Sequence, residues 1–279
     1  FKTSAQLTVV GFDAVAKARR TGEAILTRVG ELLAAQGLSP FSATQLEVLG
    51  AESPYGPHAQ PAAAQMREAI LRLSARHPDK AALALLTREI APAGTSWAPG
   101  TTGAGGRATV SPLIRQYAFL LDKARVTPAA TLDGAPVSVP NRPDVGVEIN
   151  DIAIKTGITN AIDLPADGEQ IEVPLIRLAW ARSGDKGDIS NIGVIARRPE
   201  WLPQLRAQLT EARVAEWLAH LVQGPVTRYE LPGIHALNFV CEQALGGGGM
   251  ASLRNDPLGK GMAQILLALP VRVPARWLS

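Results

Sequence analysis

The sequence predicts an α+β protein in two parts, an incomplete α/β part followed by a smaller α/β sandwich. Three observations predict it. Over residues 1–90 a helical apolar stripe alternates with short β-like runs. A stretch rich in Pro, Gly, Thr and Ser, with Pro-Asn-Arg-Pro and Asp-Gly turns, then interrupts the pattern. Beyond residue 172 short apolar runs and two helical patterns resume in the order β-β-α-β-α-β. The 279 residues suit two domains or one large one, and a 46% hydrophobic content suffices to bury a core.

Residues 6–12 read as a strand and 13–36 as a helix, because Ile25, Val29, Leu32 and Leu33 recur at i, i+4, i+7 and i+8. Gly37 stops that helix. Residues 45–50 form a second strand. Met66, Ala69, Ile70 and Leu73 have helical spacing within 61–76, a helix that His77-Pro78 ends. Asp79 caps the next helix, which runs to about Ile90. Residues 91–112 form a long loop, and 113–121 and 124–132 are strands. The expected division is 1–135, a linker over 136–171, and a second domain over 172–279. In the second domain 173–180 and 192–196 are strands. Residues 201–223 are a helix with Leu205, Leu209, Val214, Trp217, Leu218 and Leu221 on one face. Residues 226–231 are a third strand and 235–245 a helix carrying Leu237, Val240, Cys241 and Ala244. Residues 264–273 are the last strand. A four-stranded antiparallel sheet with two helices on one face, a ferredoxin-like sandwich, satisfies that order.

Composition narrows the function. Charged residues are 19%, net charge is +3, and no Lys/Arg cluster exceeds a pair such as Arg19-Arg20 or Arg197-Arg198, so nucleic acid is not an expected partner. No apolar run approaches the ~20 residues of a membrane helix, and no secretory signal is visible. The single cysteine, Cys241, allows no intrachain disulfide and fits a reducing cytoplasm. The chain begins Phe1-Lys2-Thr3, and the expectation is a fragment or a processed C-terminal part of something longer.

Two loops carry the chemistry. The first places Ser183, Asp185, Lys186, Asp188 and Asn191 between two apolar runs. Asp185 or Asp188 suits a general base with Lys186 as its electrostatic partner, and the oxygens of Asp185, Asp188 and Asn191 are a conceivable Mg²⁺ set. The same loop also reads as a plain hairpin whose Gly184 and Gly187 supply positive φ. The second loop begins Gly246-Gly247-Gly248-Gly249, where successive N–H groups can curl into an anion-binding nest, with Arg254 and Lys260 adding charge. Its bland alternative is a flexible connector with Arg254 paired to Asp256. The loop Gly100–Arg107, followed by Ser111 and Arg115, suits contact with phosphate or carboxylate and reads equally as a surface loop. The four histidines, His58, His77, His220 and His235, lack metal-ligand spacing, so no metal is expected. His58 and His77 read as structural, and Cys241 as core. The two loops are expected side by side.

The residues Ala181-Arg-Ser-Gly-Asp-Lys-Gly-Asp188, Asn191-Ile-Gly-Val-Ile-Ala-Arg197, Arg228-Tyr-Glu-Leu-Pro-Gly233, Ala244-Leu-Gly-Gly-Gly-Gly249 and Ser252-Leu-Arg-Asn-Asp256 resemble the C-terminal ferredoxin-fold domain of the acyclic terpene utilization (AtuA) family. Ser53-Pro-Tyr-Gly-Pro-His58, His77-Pro-Asp-Lys80, Ala98-Pro-Gly-Thr101 and Gly105-Gly-Arg107 resemble the end of that family's main domain. Trp97 and Ala108 stand where the family pattern has Met and Pro. Family members carry a large α/β part upstream of such a segment. The resemblance implies bacterial catabolism of acyclic terpenes or related branched acids through coenzyme A thioesters. The expectation is therefore a cytoplasmic, homo-oligomeric enzyme of lyase or hydratase class acting on an acyl-CoA or a small acidic substrate. It would have no tightly bound cofactor, with coenzyme A entering only as part of the substrate. Asp185, Lys186 and Asp188 would be catalytic. Ser183, Asn191, Gly246, Gly247, Gly248, Gly249, Arg254, Lys260, Arg107 and Arg115 would bind substrate. The rival expectation is a non-catalytic oligomerisation or docking module of an acyl-CoA-processing complex.

Overall fold

The computed structural model describes residues 1–103, 106–139 and 169–277. The first part contains β1 (Lys2–Val10), α1 (Ala14–Ala35), β2 (Ala43–Leu49), β3 (Glu68–Arg76), α2 (Lys80–Ser96), β4 (Thr101–Gly103) and β5 (Val110–Ser111). Its sheet runs β2-β3-β1-β4, with β5 also paired to β1, and every neighbour is antiparallel. β3 lies between β1 and β2, and β1 between β3 and β4. This is the split β-α-β arrangement used twice, so the first part has a ferredoxin-like topology of its own. Ile25, Val29 and Leu33 of α1 and Leu83 and Leu86 of α2 pack on the Leu7, Val48, Leu71 and Leu73 side of the sheet. Asp79 caps α2 by accepting from Ala81 N at 2.8 Å. His77, 3% exposed, locks the entry to that helix: Nδ1 accepts from Asp79 N at 2.8 Å while Nε2 lies 3.0 Å from the Ser39 carbonyl oxygen.

By its contacts the chain divides into two compact units, 1–115 with 164–279, and 116–163. In the smaller unit, β6 (Ala130–Leu132) and β7 (Ala135–Val137) form a hairpin across Asp133-Gly134, both at positive φ as a tight two-residue turn requires. The expected linker over 136–171 lies largely outside the described residues.

The second part contains β8 (Gln170–Pro174), β9 (Ala179–Lys186), β10 (Ile189–Ala196), α3 (Leu202–Gln208), α4 (Glu211–Trp217), β11 (Val226–Leu231), β12 (Ala236–Cys241), α5 (Met262–Leu267) and β13 (Pro270–Pro274). β11-β12-β10-β9 form the four-stranded antiparallel sheet, and β8 pairs with β13 in a separate ribbon. Leu205, Leu209, Val214 and Leu218 from the α3–α4 region and Ile265 and Leu266 from α5 share a core with Ile192, Val194, Leu237 and Phe239 of the sheet.

The α+β class holds, but several elements differ from expectation. Residues 68–76 are a strand, because Ala69, Leu71, Leu73 and Ala75 are buried at every second position, a stronger period than the helical one. The helix expected over 235–245 is β12, for the same reason: Leu237, Phe239 and Cys241 alternate inward. The last strand expected over 264–273 is α5 followed by β13. The strand expected over 173–180 breaks at Pro174 into β8 and β9. The helix over 201–223 divides where Thr210 caps α4 by accepting from Arg213 N at 3.2 Å. Residues 113–121 form no strand.

Candidate functional site

The glycine loop follows β12 and closes against the β9–β10 turn. Asp188 Oδ1 accepts from Leu245 N at 3.1 Å and from Gly247 N at 2.8 Å, while its carbonyl accepts from Ala244 N at 2.9 Å. The nest is thus occupied by a carboxylate of the chain itself. Gly246, Gly247 and Gly248 all have positive φ. At Gly248 a Cβ would stand 2.5 Å from the Gly187 carbonyl oxygen, so the close approach of the loops requires glycine. The loops around 183–191 and 246–256 therefore lie side by side.

Lys260 Nζ lies 3.3 Å from Asp185 Oδ1. Ser183, 5% exposed, donates to the Gly259 carbonyl at 2.6 Å and accepts from Ala263 N at 2.9 Å, so its hydroxyl fixes the start of α5. Ser190 stands opposite Asp185 in the β9–β10 register, and its buried hydroxyl has no partner among the described residues. Lys186 is exposed at the end of β9. Asn191, one residue on from Ser190, emerges on the other face of the sheet. Arg107 lines a different cavity, and Arg115 is exposed beyond β5. The fold thus gathers Ser183, Asp185, Asp188, the glycine run, Arg254 and Lys260, but neither Asn191 nor Arg107 and Arg115.

Arg254 donates from Nη1 to the Ala244 carbonyl and from Nη2 to the Leu221 carbonyl at 2.9 Å. Two of its five N–H groups hold the backbone rather than Asp256, whose carboxylate instead accepts from Lys260 N and Gly261 N at 2.9 and 2.7 Å. Burial lowers the Arg254 pKa, while Asp188, Glu47 and Asp256 act in the opposite sense. An incoming anion at Arg254 would compete with these three carboxylates.

Beside Arg254 is a cavity of about 250 Å³ whose lining includes Glu47, His220, Leu245, Arg254, Asp256 and Met262. It lies where the second part meets the face of the first sheet opposite α1 and α2. Glu47 and Arg72, 8% and 13% exposed, pair at 2.6 Å on that face. The Ser53–His58 turn reaches across to the second part. His58 stacks on Trp217 with centroids 3.6 Å apart and lies with Nε2 2.8 Å from the Trp217 carbonyl oxygen. His220 Nε2 lies 2.9 Å from the Pro54 carbonyl oxygen, an acceptor, so Nε2 carries the proton and Nδ1 the lone pair. That Nδ1 is buried and has no hydrogen-bond partner among the described residues. Burial is the main cause of a lowered His220 pKa, with the charges of His58 and Arg254 acting in the same sense. His220 therefore lines the cavity as an imidazole held towards its neutral form, with the Nδ1 lone pair closed off inside the protein and unused.

Sequence reasoning missed Glu47, Arg72 and His220. A lone acid inside the apolar strand of residues 45–50 was the available signal for Glu47. Arg72 was hidden by the helical reading of its strand. Nothing local marks His220. Among the described residues no group of three or more His, Cys, Asp or Glu could hold a metal ion, and no helix is long and apolar enough to cross a membrane.

Comparison with known families agrees with both parts. Residues 1–132 match the family described as acyclic terpene utilisation family protein AtuA, and residues 173–272 match the AtuA ferredoxin-like domain. No curated protein and no solved structure matched the chain. The matched stretches contain the Asp188 clamp, the Arg254 contacts and the His58 turn, and the chain belongs to the acyclic terpene utilisation (AtuA) family.

Proposed function

We propose that this chain is, or contributes to, a cytoplasmic enzyme of acyclic terpene or branched-acid catabolism that acts on an acyl-CoA or carboxylate by lyase- or hydratase-like chemistry. It needs no tightly bound cofactor, and coenzyme A enters only as part of the substrate. One observation supports the reading best: His220, Arg254, Glu47 and Asp256 line one cavity, and two of them have shifted pKa values. Polar groups with perturbed titration that converge on one cavity mark a candidate reacting site. In this reading His220 accepts a proton at Nδ1 once substrate binding uncovers that atom, which the fold buries, as removal of hydrogen next to a carbonyl or activation of water requires. Asp185, with Lys260 beside it, does not line this cavity and is the proton carrier of an alternative, loop-centred site, while Asp188 holds the loop that shapes the cavity wall.

The test is incubation of the full chain in D₂O with branched and linear acyl-CoA thioesters and their free acids, read by mass spectrometry. Solvent deuterium in the substrate, or gain or loss of water, supports the reading. His220→Gln should slow that reaction by ~10²–10⁴-fold. A rate unchanged in His220→Gln but abolished in Asp185→Asn would move the chemistry to the loop. No reaction with any thioester or acid would sink the enzyme reading.

A second reading, a non-catalytic oligomerisation or docking module, is favoured by the outer face of the second sheet. There Trp180, Ile195 and Leu231 are 52%, 39% and 38% exposed along one cross-strand row. Its test is light scattering of the full chain beside Trp180→Lys. A homo-oligomer that the substitution dissociates supports it, and a monomer in both counts against it. Trp277 adds nothing to such a surface, because it stacks on Trp201 with centroids 5.5 Å apart.

A further inference from the structure

We infer that the first part of the chain holds a separate ligand site, between α2 and the β1–β4 edge, that takes an amphipathic monocarboxylate: a hydrocarbon chain ending in one carboxylate. The inference concerns a different cavity from that of His220 and does not rest on the reading given for it. This cavity measures about 610 Å³, within the ~300–1,000 Å³ of typical small-molecule sites. Its apolar wall includes Leu7, Ile90 and Ala91, and Gly94 leaves room on the helix side, where an added Cβ would only just touch Leu7, at 3.4 Å.

Thr102 and Gln6 add neutral polar groups to the lining, and the other three threonines have their hydroxyl hydrogens committed locally. Thr87, Thr95 and Thr101 donate their hydroxyl hydrogens to the carbonyls of Ala84, Pro92 and Ala98, at 3.0, 3.2 and 2.8 Å. The charged donors left facing the space are Arg88 and Arg107. Among the described residues neither takes part in an ion pair, and no Asp or Glu lines the cavity. The acid next in sequence, Glu89, is committed to Arg28. Two solvent-exposed guanidinium groups without a protein counter-charge, at the rim of an apolar wall, suit an anion carrying a hydrocarbon tail. Arg meets a carboxylate with paired N–H donors, and the wall removes the tail from water. The contrast with Arg254 is direct, since three carboxylates already surround that residue.

The test is calorimetric titration of the full chain with decanoate below its micellar concentration, with 1-decanol, acetate and inorganic phosphate as comparisons. Decanoate should bind. Decanol, lacking the charge, and acetate, lacking the tail, should each bind at least ~10-fold more weakly. The double variant Arg88→Gln/Arg107→Gln should weaken decanoate at least ~10-fold, and Gly94→Leu, which fills the cavity, should abolish its binding. Circular dichroism confirms that each variant is folded. Decanoate binding should survive in His220→Gln, which separates this site from the other cavity. The inference is overturned if decanoate does not bind, if phosphate or acetate binds as well, or if folded variants of the arginines and of Gly94 bind decanoate like the unaltered chain.

Discussion

Glu47 and Arg72 face each other in the β2–β3 register, 2.6 Å apart, and each also holds the backbone of the second part. Glu47 accepts from Asn255 N at 2.9 Å and Arg72 donates to the Leu253 carbonyl at 2.6 Å. The ion pair thus sets the position of the Ser252–Asp256 segment, and through it Arg254. Glu47→Gln should destabilise the chain by about 3–5 kcal/mol, the cost of leaving a buried charge without its partner. Replacing both residues by apolar ones, Glu47→Leu/Arg72→Met, should not restore stability, because Asn255 N and the Leu253 carbonyl then lose their partners. Urea denaturation checks both. A fully stable double variant would show that the pair does not anchor the segment.

Asp188 is the counter-anion of the glycine loop. Asp188→Ala removes the acceptor shared by Leu245 N and Gly247 N. The expected loss is about 2–5 kcal/mol, from charge-assisted bonds worth roughly 1.5–3 kcal/mol each and not fully additive. Asp188→Asn keeps one oxygen acceptor and should lose less. If the two variants unfold at the same urea concentration as the parent, the carboxylate is not holding the loop. A catalytic role alone would leave stability unchanged and remove turnover, so the measurement separates the two roles.

Gly56 lies beneath His220. Its φ of 55° and ψ of −120° suit glycine, and a Cβ there would stand 2.5 Å from His220 Cδ2. Gly56→Ala should cost about 1–3 kcal/mol from backbone strain, with a further loss as His220 is displaced from the Pro54 carbonyl. The double variant Gly56→Ala/His220→Ala relieves the contact but not the strain, so it should recover only part of the loss relative to His220→Ala alone. Equal costs of Gly56→Ala in the two backgrounds would show that the ring and the glycine are not in contact.

Much of this architecture was legible in the sequence because it follows from local rules. The Asp79 cap, the apolar stripe of α1 and the positive φ of Gly187 need only near neighbours, whereas Gly184, expected to share that role, lies inside β9 without positive φ. β3 and β12 were misread because their apolar residues satisfy both periods over a short window. Leu237, Val240 and Cys241 fit a helix, whereas Leu237, Phe239 and Cys241 fit a strand, and only pairing with β10 and β11 decides. The first polar stretch, expected as a loop, is mostly strand, with only Gly187 and Asp188 between β9 and β10, but its meeting with the glycine loop was foreseen. Their mutual saturation was not, since nothing local shows that the Gly247 amide already has an acceptor in Asp188. His220 was invisible for the same reason. Its lone pair matters only because Pro54, distant in sequence, fixes the opposite nitrogen.

The lowered pKa of His220 makes stability depend on pH with a definite sign. Burial is the largest cause, the Pro54 carbonyl opposes it, and the charges of His58 and Arg254 add to it. The folded pKa lies below the ordinary 6.5, so in the window beneath that value the unfolded chain takes up a proton that the folded chain refuses. Stability then rises with pH across the window. The contribution is fully present above the unfolded pKa and is lost as pH falls through 6.5 towards the folded value. The melting temperature should therefore drop more steeply between about pH 7 and about pH 5 in the unaltered chain than in His220→Gln, which cannot titrate there. Carboxylates contribute equally to both curves and cancel in the difference. Parallel curves would mean that His220 titrates alike in both states, and the neutral imidazole assigned to the cavity would lose its basis.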